Sequence, residues 1–364
     1  KAVDKNTSNH KTEVCVILDI LVVFSEDVTV SGGSPQLTLS TGSPSTTTID
    51  YISGSSSNNL IFRYTVSSGN ISSRLDYSST DALSFNGSTI IDSAGNTAIL
   101  TLPSPGRTGS LAANKNIEID GVSPNVSNVT SSDSDGTYGI GQVLTIIVVF
   151  SEVVIVTGTP QLTLSTGAPS TTAIDYLSGT NTTNLSFQYT VIQGNFSSDL
   201  DYSSTSALSL NSGTIKDIAG NSALLTLSTP GDSGSLGSNK TLVIDGIRPT
   251  ISSFAADKGS GTYPIYTTIQ ITANVSETVQ AGGEMTIILN NNVTTNIILK
   301  VGTLNSNTLV GDYVVADGDT TNGSNLSITS FSIGSTDETQ IKDLSGNVLN
   351  DTTLPTGTNM FGGA

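Results

Sequence analysis

Nearly all the side chains in this sequence with chemical potential are carboxylates, and they return at matching places. Glu26 and Glu152 each close the run Val-Val-Phe-Ser-Glu, and Ser276-Glu277 repeats its last two residues. Asp120 and Asp245 each stand in Ile-Asp-Gly, a few residues before a proline. Asp92 and Asp217 open Asp-x-Ala-Gly-Asn, and Asp343 opens Asp-Leu-Ser-Gly-Asn. If the strand after the linker runs away from it and the next strand runs back, Glu152 ends near the linker. The loop that holds Asp217, before the last strand, lies at the same end. Asp120, Glu152 and Asp217 are then expected to converge, and Asp245, Glu277 and Asp343 to form the next such site, with Glu26 and Asp92 as the counterparts in the first copy. Three carboxylates with backbone carbonyls and water make a hard-oxygen ligand set suited to Ca²⁺ and poorly suited to soft metals. A second reading is structural: the acids accept backbone N–H bonds and cap turns, with Gly220-Asn221 supplying a left-handed turn.

Other chemistries find few residues. One cysteine, Cys15, allows no intrachain disulfide, and one histidine, His10, allows neither a multi-His zinc site nor a repeated Ser-His-Asp triad. Cys15 lies in Val-Cys-Val-Ile-Leu and is expected on a buried strand, His10 in a loop. Paired carboxylates can hydrolyse glycosides, but a catalytic pair occurs once in a cleft, whereas these acids repeat with the chain, and no nucleophile elbow or phosphate loop is present. The sequence is therefore not read as an enzyme. With 13 Lys+Arg against 30 Asp+Glu, the net charge of -17 repels nucleic acid and anionic membranes and favours cations. The longest apolar stretch, residues 14–24, is interrupted by Asp19 and falls far short of the roughly 20 residues that span a bilayer. Asn-x-Ser/Thr triplets, open to glycosylation in a secreting host, include Asn70, Asn128, Asn181, Asn184, Asn195, Asn274 and Asn322.

The elements that must position these acids follow from an internal repeat. Val22-Val23-Phe24-Ser25-Glu26 returns as Val148-Val149-Phe150-Ser151-Glu152, and Pro35-Gln36-Leu37-Thr38-Leu39-Ser40-Thr41-Gly42 returns from Pro160 to Gly167. Leu75-Asp76-Tyr77 returns as Leu200-Asp201-Tyr202. A third, diverged copy keeps Gly261-Thr262-Tyr263, the counterpart of Gly136-Thr137-Tyr138. Cutting after each Ile-Asp-Gly gives domains 1–121, 122–246 and 247–364, each of ordinary single-domain size. Within a copy, Leu60, Phe62, Tyr64 and Val66 alternate with polar residues, the period of a strand with one buried face. Residues 143–150, apolar on both parities, read as a central strand covered on two sides. Tyr51, Tyr77, Tyr176 and Tyr202 recur in strand contexts and read as packing residues. Seven to nine short strands per copy and no helix predict an all-β chain of three tandem Ig-like Greek-key β-sandwiches in an elongated rod, although the Cys and Trp core of antibody domains is absent.

The succession Gly-Thr-Tyr, Val-Val-Phe-Ser-Glu, Pro-Gln-Leu-Thr-Leu-Ser-Thr-Gly, Phe-x-Tyr-Thr-Val, Leu-Asp-Tyr-Ser-Ser-Thr, Asp-x-Ala-Gly-Asn and Ile-Asp-Gly-x-x-Pro resembles the immunoglobulin-like tandem repeats of large secreted bacterial adhesins and related surface proteins. It covers nearly all of the first two copies and the two ends of the third. The resemblance implies a secreted, extracellular or cell-surface spacer, a stalk or surface-filament component, often with calcium at its joints. A carbohydrate- or protein-binding surface module is the alternative. The chain opens on Lys1 with no basic-then-apolar leader, as expected of a processed product or a fragment. Both ends depart from the pattern. Counting from Asp4 as a linker residue, Asp4 to Glu26 is ten residues shorter than Asp120 to Glu152, so the first copy is expected to lack part of its first strand. The third copy stops short of a final strand. Two explanations stand: truncation of a longer array, or a head-to-tail homopolymer in which residues 1–11 complete the third copy of a neighbour by β-strand addition.

Overall fold

The computed structural model describes residues 2–5 and 11–356. The chain is all-β and built of curled, antiparallel sheets. Buried apolar side chains gather in three clusters that follow the sequence repeats: from Leu18 to Ile119, from Val129 to Ile244, and from Ile251 to Leu349.

In the second repeat the organising element is the long strand Val143–Thr157. Its first part pairs with Val126–Ser131 on one side and Thr182–Thr190 on the other. Its last three residues pair instead with Thr214–Lys216. Between these partners the register breaks, from Val149 to Val154. The same break lies between Val23 and Val28 in Ile17–Gly32, and between Asn274 and Val279 in Thr268–Val279. Leu144, Ile146, Val148 and Phe150 are buried, whereas Ile147 and Val149 are half-buried and Val143 is exposed. One face of this strand is thus covered, not the two expected. Its apolar odd-numbered residues are flanked by neighbouring strands without being roofed by a second layer.

A three-stranded sheet completes each of the first two repeats. Leu242–Asp245 lies between Gly136–Tyr138, to which it is parallel, and Phe196–Ser197, to which it is antiparallel. Glu118–Asp120 lies likewise between Lys11–Thr12 and Ile71–Ser72. Below these sheets, the hydroxyl groups of Tyr64 and Tyr189 donate to Asn70 Oδ1 (2.8 Å) and Asn195 Oδ1 (2.9 Å), and burial pushes both phenols up to about 12. Tyr77 and Tyr202 are buried, while Tyr51 and Tyr176 stand edge-on to Phe62 and Phe187.

Several sequence expectations change here. Two one-turn helices, Leu111–Asn114 and Leu236–Asn239, occur where none was expected; Ser110 and Ser235 cap them by accepting from the N–H three residues on. Four residues are too few to leave a helical period in the sequence. Cys15 is exposed in a turn with φ of 70°, two residues before its strand begins. His10 lies outside the described residues. Asp4 is not a linker residue: Ala2–Lys5 pairs with the long strand so that Val3 faces Val22, as Val129 faces Val148. Nineteen residues separate each of those pairs (22 − 3 and 148 − 129), so nothing is missing between the first strand and the second. Because Ala2–Lys5 and Lys11–Thr12 pair within their own chain, the donor role expected of residues 1–11 would require that pairing to be undone.

The third repeat forms a six-stranded sheet from Ile251–Ala256, Thr268–Val279, Ser306–Val314, Asn296–Lys300, Glu284–Leu289 and Ile328–Ile333. Among the described residues no counterpart of Leu242–Asp245 follows, and Gly261-Thr262-Tyr263 accordingly has no strand to pair with. The expectation that the third copy stops short of a final strand concerns its end, of which residues 357–364 lie outside the described residues.

Candidate metal centres

The register break in each long strand is what delivers its glutamate. By passing from one partner to another, Val143–Thr157 runs alongside Thr214–Lys216, and the next residue is Asp217. Breaks of this kind re-aim side chains that a regular ladder would send elsewhere. The linker following Glu118–Asp120 then crosses the same place: Ser151 N–H donates to Asn125 O, and Leu224 N–H to Pro124 O, both at 2.8 Å.

The outcome is a cluster in which one carboxylate oxygen each from Asp120, Glu152 and Asp217 lie within 4.8 Å of one another. Asp245, Glu277 and Asp343 form a second cluster within the same limit. Each draws its linker aspartate from one repeat and its other two acids from the next. Asp217 and Asp343 are buried; Glu152 and Glu277 are half-buried. Glu26 and Asp92 are brought together too, in a recess of about 200 Å³ that also involves Phe24, Asn96 and Ile99. No third acid among the described side chains joins them.

Turn capping and convergence both hold. Asp217 Oδ1 accepts from the N–H groups of Gly220 (2.6 Å) and Asn221 (2.8 Å), and Oδ2 from Asn221 Nδ2 (2.7 Å). Asp343 repeats this with Ser345 N–H, Asn347 N–H and Asn347 Nδ2. A carboxylate offers about four lone-pair sites, so an oxygen held by the turn retains capacity for a cation. Ligands sharing one Ca²⁺ at roughly 2.3–2.6 Å lie up to about 5 Å apart, a span that contains the observed separation. The donor set, oxygen only and triply acidic, fits a hard divalent cation.

The asparagine that ends the motif is the residue the sequence reading undervalued. Asn221 Nδ2 also donates to Asp120 O at 2.8 Å, and its Oδ1 accepts from Val14 N–H at 2.9 Å. Asn347 donates to Asp245 O at 2.7 Å and accepts from Ile140 N–H at 2.6 Å. One buried amide thus ties its own turn, the linker and a loop of the preceding repeat. The repetition of Gly-Asn was visible in the sequence, but the amides' partners Val14, Asp120, Ile140 and Asp245, in the linkers and the preceding repeats, are 101 or more residues away. Gly220 is needed as well, because its φ of 109° lies where residues with a side chain are strained. Asn96, the counterpart in the first repeat, is exposed and bonds to Asp92 alone through its side chain and N–H, which holds the Asp92 carboxyl below its ordinary range.

The glutamate of the second cluster sits in an unfavourable electrostatic environment. Loss of solvent, and then the negative charges of Asp343 and Asp245, push Glu277 up to about 7. Ser345 Oγ donates to Asp245 Oδ2 at 2.6 Å, and Arg248 Nη1 donates to Val348 O at 2.6 Å.

Of the candidate glycosylation sites, Asn70 and Asn195 are corrected. Both are fully buried, and their amides bond to Ser43 O and Ala168 O as well as to the tyrosines, so neither can carry a glycan in the fold. Asn181, Asn184 and Asn322 are exposed; Asn128 and Asn274 are half-buried. Among the described residues no helix is long and apolar enough to cross a membrane. No protein-family model matches the chain, and no curated protein matches it.

Proposed function

We propose that this chain is a structural, non-catalytic segment of an extracellular stalk or surface filament: three Ig-like β-sandwiches in a rod, with Ca²⁺ binding at each junction to set the spacing. The observation that carries this reading is the duplication of the acidic cluster. The same three acids, drawn in the same way from two successive repeats, occur at both junctions. A catalytic pair has no reason to be copied along a chain, whereas a stiffened joint does. Bringing three carboxylates together without a cation is electrostatically unfavourable, so a cation that neutralises them draws linker and turn together. The exposed triplets at Asn181, Asn184 and Asn322 and the resemblance to secreted adhesin repeats support the location.

The test is to remove and restore the cation. Chelation is expected to lower the melting temperature and broaden the distance distribution in small-angle scattering, and Ca²⁺ to reverse both. The double variant Glu152→Gln, Asp217→Asn is expected to lose the response of the first junction only. A chain whose melting and scattering ignore chelation refutes the cation.

A further inference from the structure

Each of the first two repeats closes with a parallel strand pair that is short and brings together distant parts of the chain. Lys11–Thr12 meets Glu118–Asp120 over two residue pairs, and Gly136–Tyr138 meets Leu242–Asp245 over three. Residues 139–241 lie between the two strands of the second pair. With so few ladder bonds, such a pair opens locally more readily than the long strand of the same core. Because the strands are parallel, both of their C-terminal ends lie at the same pole, where the chain crosses into the next repeat.

The buried asparagine of the following repeat sits across those two ends. Asn347 Oδ1 accepts from the N–H of Ile140 (2.6 Å), two residues past Gly136–Tyr138, and its Nδ2 donates to the carbonyl of Asp245 (2.7 Å), the last residue of Leu242–Asp245. Asn221 does the same one repeat earlier. It accepts from the N–H of Val14 (2.9 Å), two residues past Lys11–Thr12, and donates to the carbonyl of Asp120 (2.8 Å), the last residue of Glu118–Asp120. Bridging an N–H on one strand's exit to a C=O on the other takes an acceptor and a donor on one short side chain, and an amide has both. A separate observation comes from the receiving loop. Gly139 has no left-handed φ, yet a Cβ on it would meet Ser345 O at 2.4 Å and Asn347 Oδ1 at 3.0 Å. Glycine there is demanded by how closely the next repeat's turn approaches, not by the backbone of its own loop.

We propose that each of these asparagines is the closing residue of its predecessor's parallel strand pair, so that the local stability of a repeat's end is set by the repeat that follows it. Opening the turn at residues 343–347 releases both strands of the second repeat's pair at once. The bonds run from side chain to backbone without a cation, so the proposal stands apart from metal binding at the junctions.

The test is hydrogen exchange on the full chain in chelator, read by peptide mass spectrometry. Asn347→Ala is expected to speed exchange at residues 136–140 and 242–245 at least about tenfold, the effect of losing one buried hydrogen bond, and to leave residues 11–14 and 118–120 unchanged. Asn221→Ala should give the mirror image. Gly139→Ala, which pushes the same turn away from the receiving side, should reproduce the Asn347→Ala pattern while the third core, read at residues 268–279, stays protected. Wild-type rates at residues 136–140 and 242–245 in Asn347→Ala overturn the proposal. Acceleration spread equally over residues 143–150 also overturns it, because it marks loss of the whole second core. If Asn347→Ala strips protection from residues 268–279 as well, Gly139→Ala decides by those same two outcomes.

Discussion

Replacing Glu277 by glutamine isolates the electrostatic cost of the second acidic cluster. A carboxyl raised from 4.5 to about 7 binds its proton more readily in the folded chain than in the unfolded one. The folded state is therefore penalised as pH rises: the penalty is absent below about 4.5, grows between 4.5 and 7, and is complete above 7. Taken at full value the displacement corresponds to roughly 3 kcal/mol. Because Glu277 is half-buried, solvent screening reduces this to about 1–2 kcal/mol. In chelator, the wild-type melting temperature of the transition that includes the third core should fall from pH 4.5 to 8, and Glu277→Gln should remove most of that slope. At pH 8 without Ca²⁺ the variant is expected to be the more stable protein. With Ca²⁺ the order should reverse, since the cation neutralises the acids in the wild type and finds one ligand fewer in the variant. Calorimetry resolves the separate transitions of a chain with three cores. A variant whose pH slope equals the wild type's, or that gains as much from Ca²⁺, refutes the reasoning.

Two further outcomes follow from the geometry. Asn221→Ala removes two short hydrogen bonds to backbone groups and one to a carboxylate from a buried site, and should cost about 3 kcal/mol at the first junction; exchange at the Val14 amide should accelerate, and an unchanged rate would show that Asn221 does not hold that loop. Expressed in a glycosylating host, the chain should carry glycans at Asn181, Asn184 or Asn322 and none at Asn70 or Asn195, as peptide mass spectrometry would read; modification of folded protein at the latter pair would contradict their burial.

Alternation and repetition made the strands legible, because Leu60, Phe62 and Tyr64 sit on a period of two and return 125 residues later. The clusters were legible for a related reason: few acids are present, so the recurrence of Asp120, Glu152 and Asp217 stood out, and a simple up-and-down path was enough to bring them together. What failed was local. The identity of Asp4 suggests a linker, whereas the ladder pairs Val3 with Val22 as it pairs Val129 with Val148 and so puts Asp4 inside a strand. Asn70 and Asn195 satisfy a glycosylation triplet, yet a tyrosine hydroxyl claims each side chain. Nothing in a triplet reports a partner that reaches it from a neighbouring strand.

The parallel pairing of Gly136–Tyr138 with Leu242–Asp245 bears on how the second repeat would meet tension. These strands lie near its two ends, and in a parallel pair the outgoing directions of the chain are opposed. Pulling on both ends therefore slides one strand along the other, so that the bridging hydrogen bonds are loaded together in shear. An antiparallel terminal pair would instead open one bond at a time, like a zip.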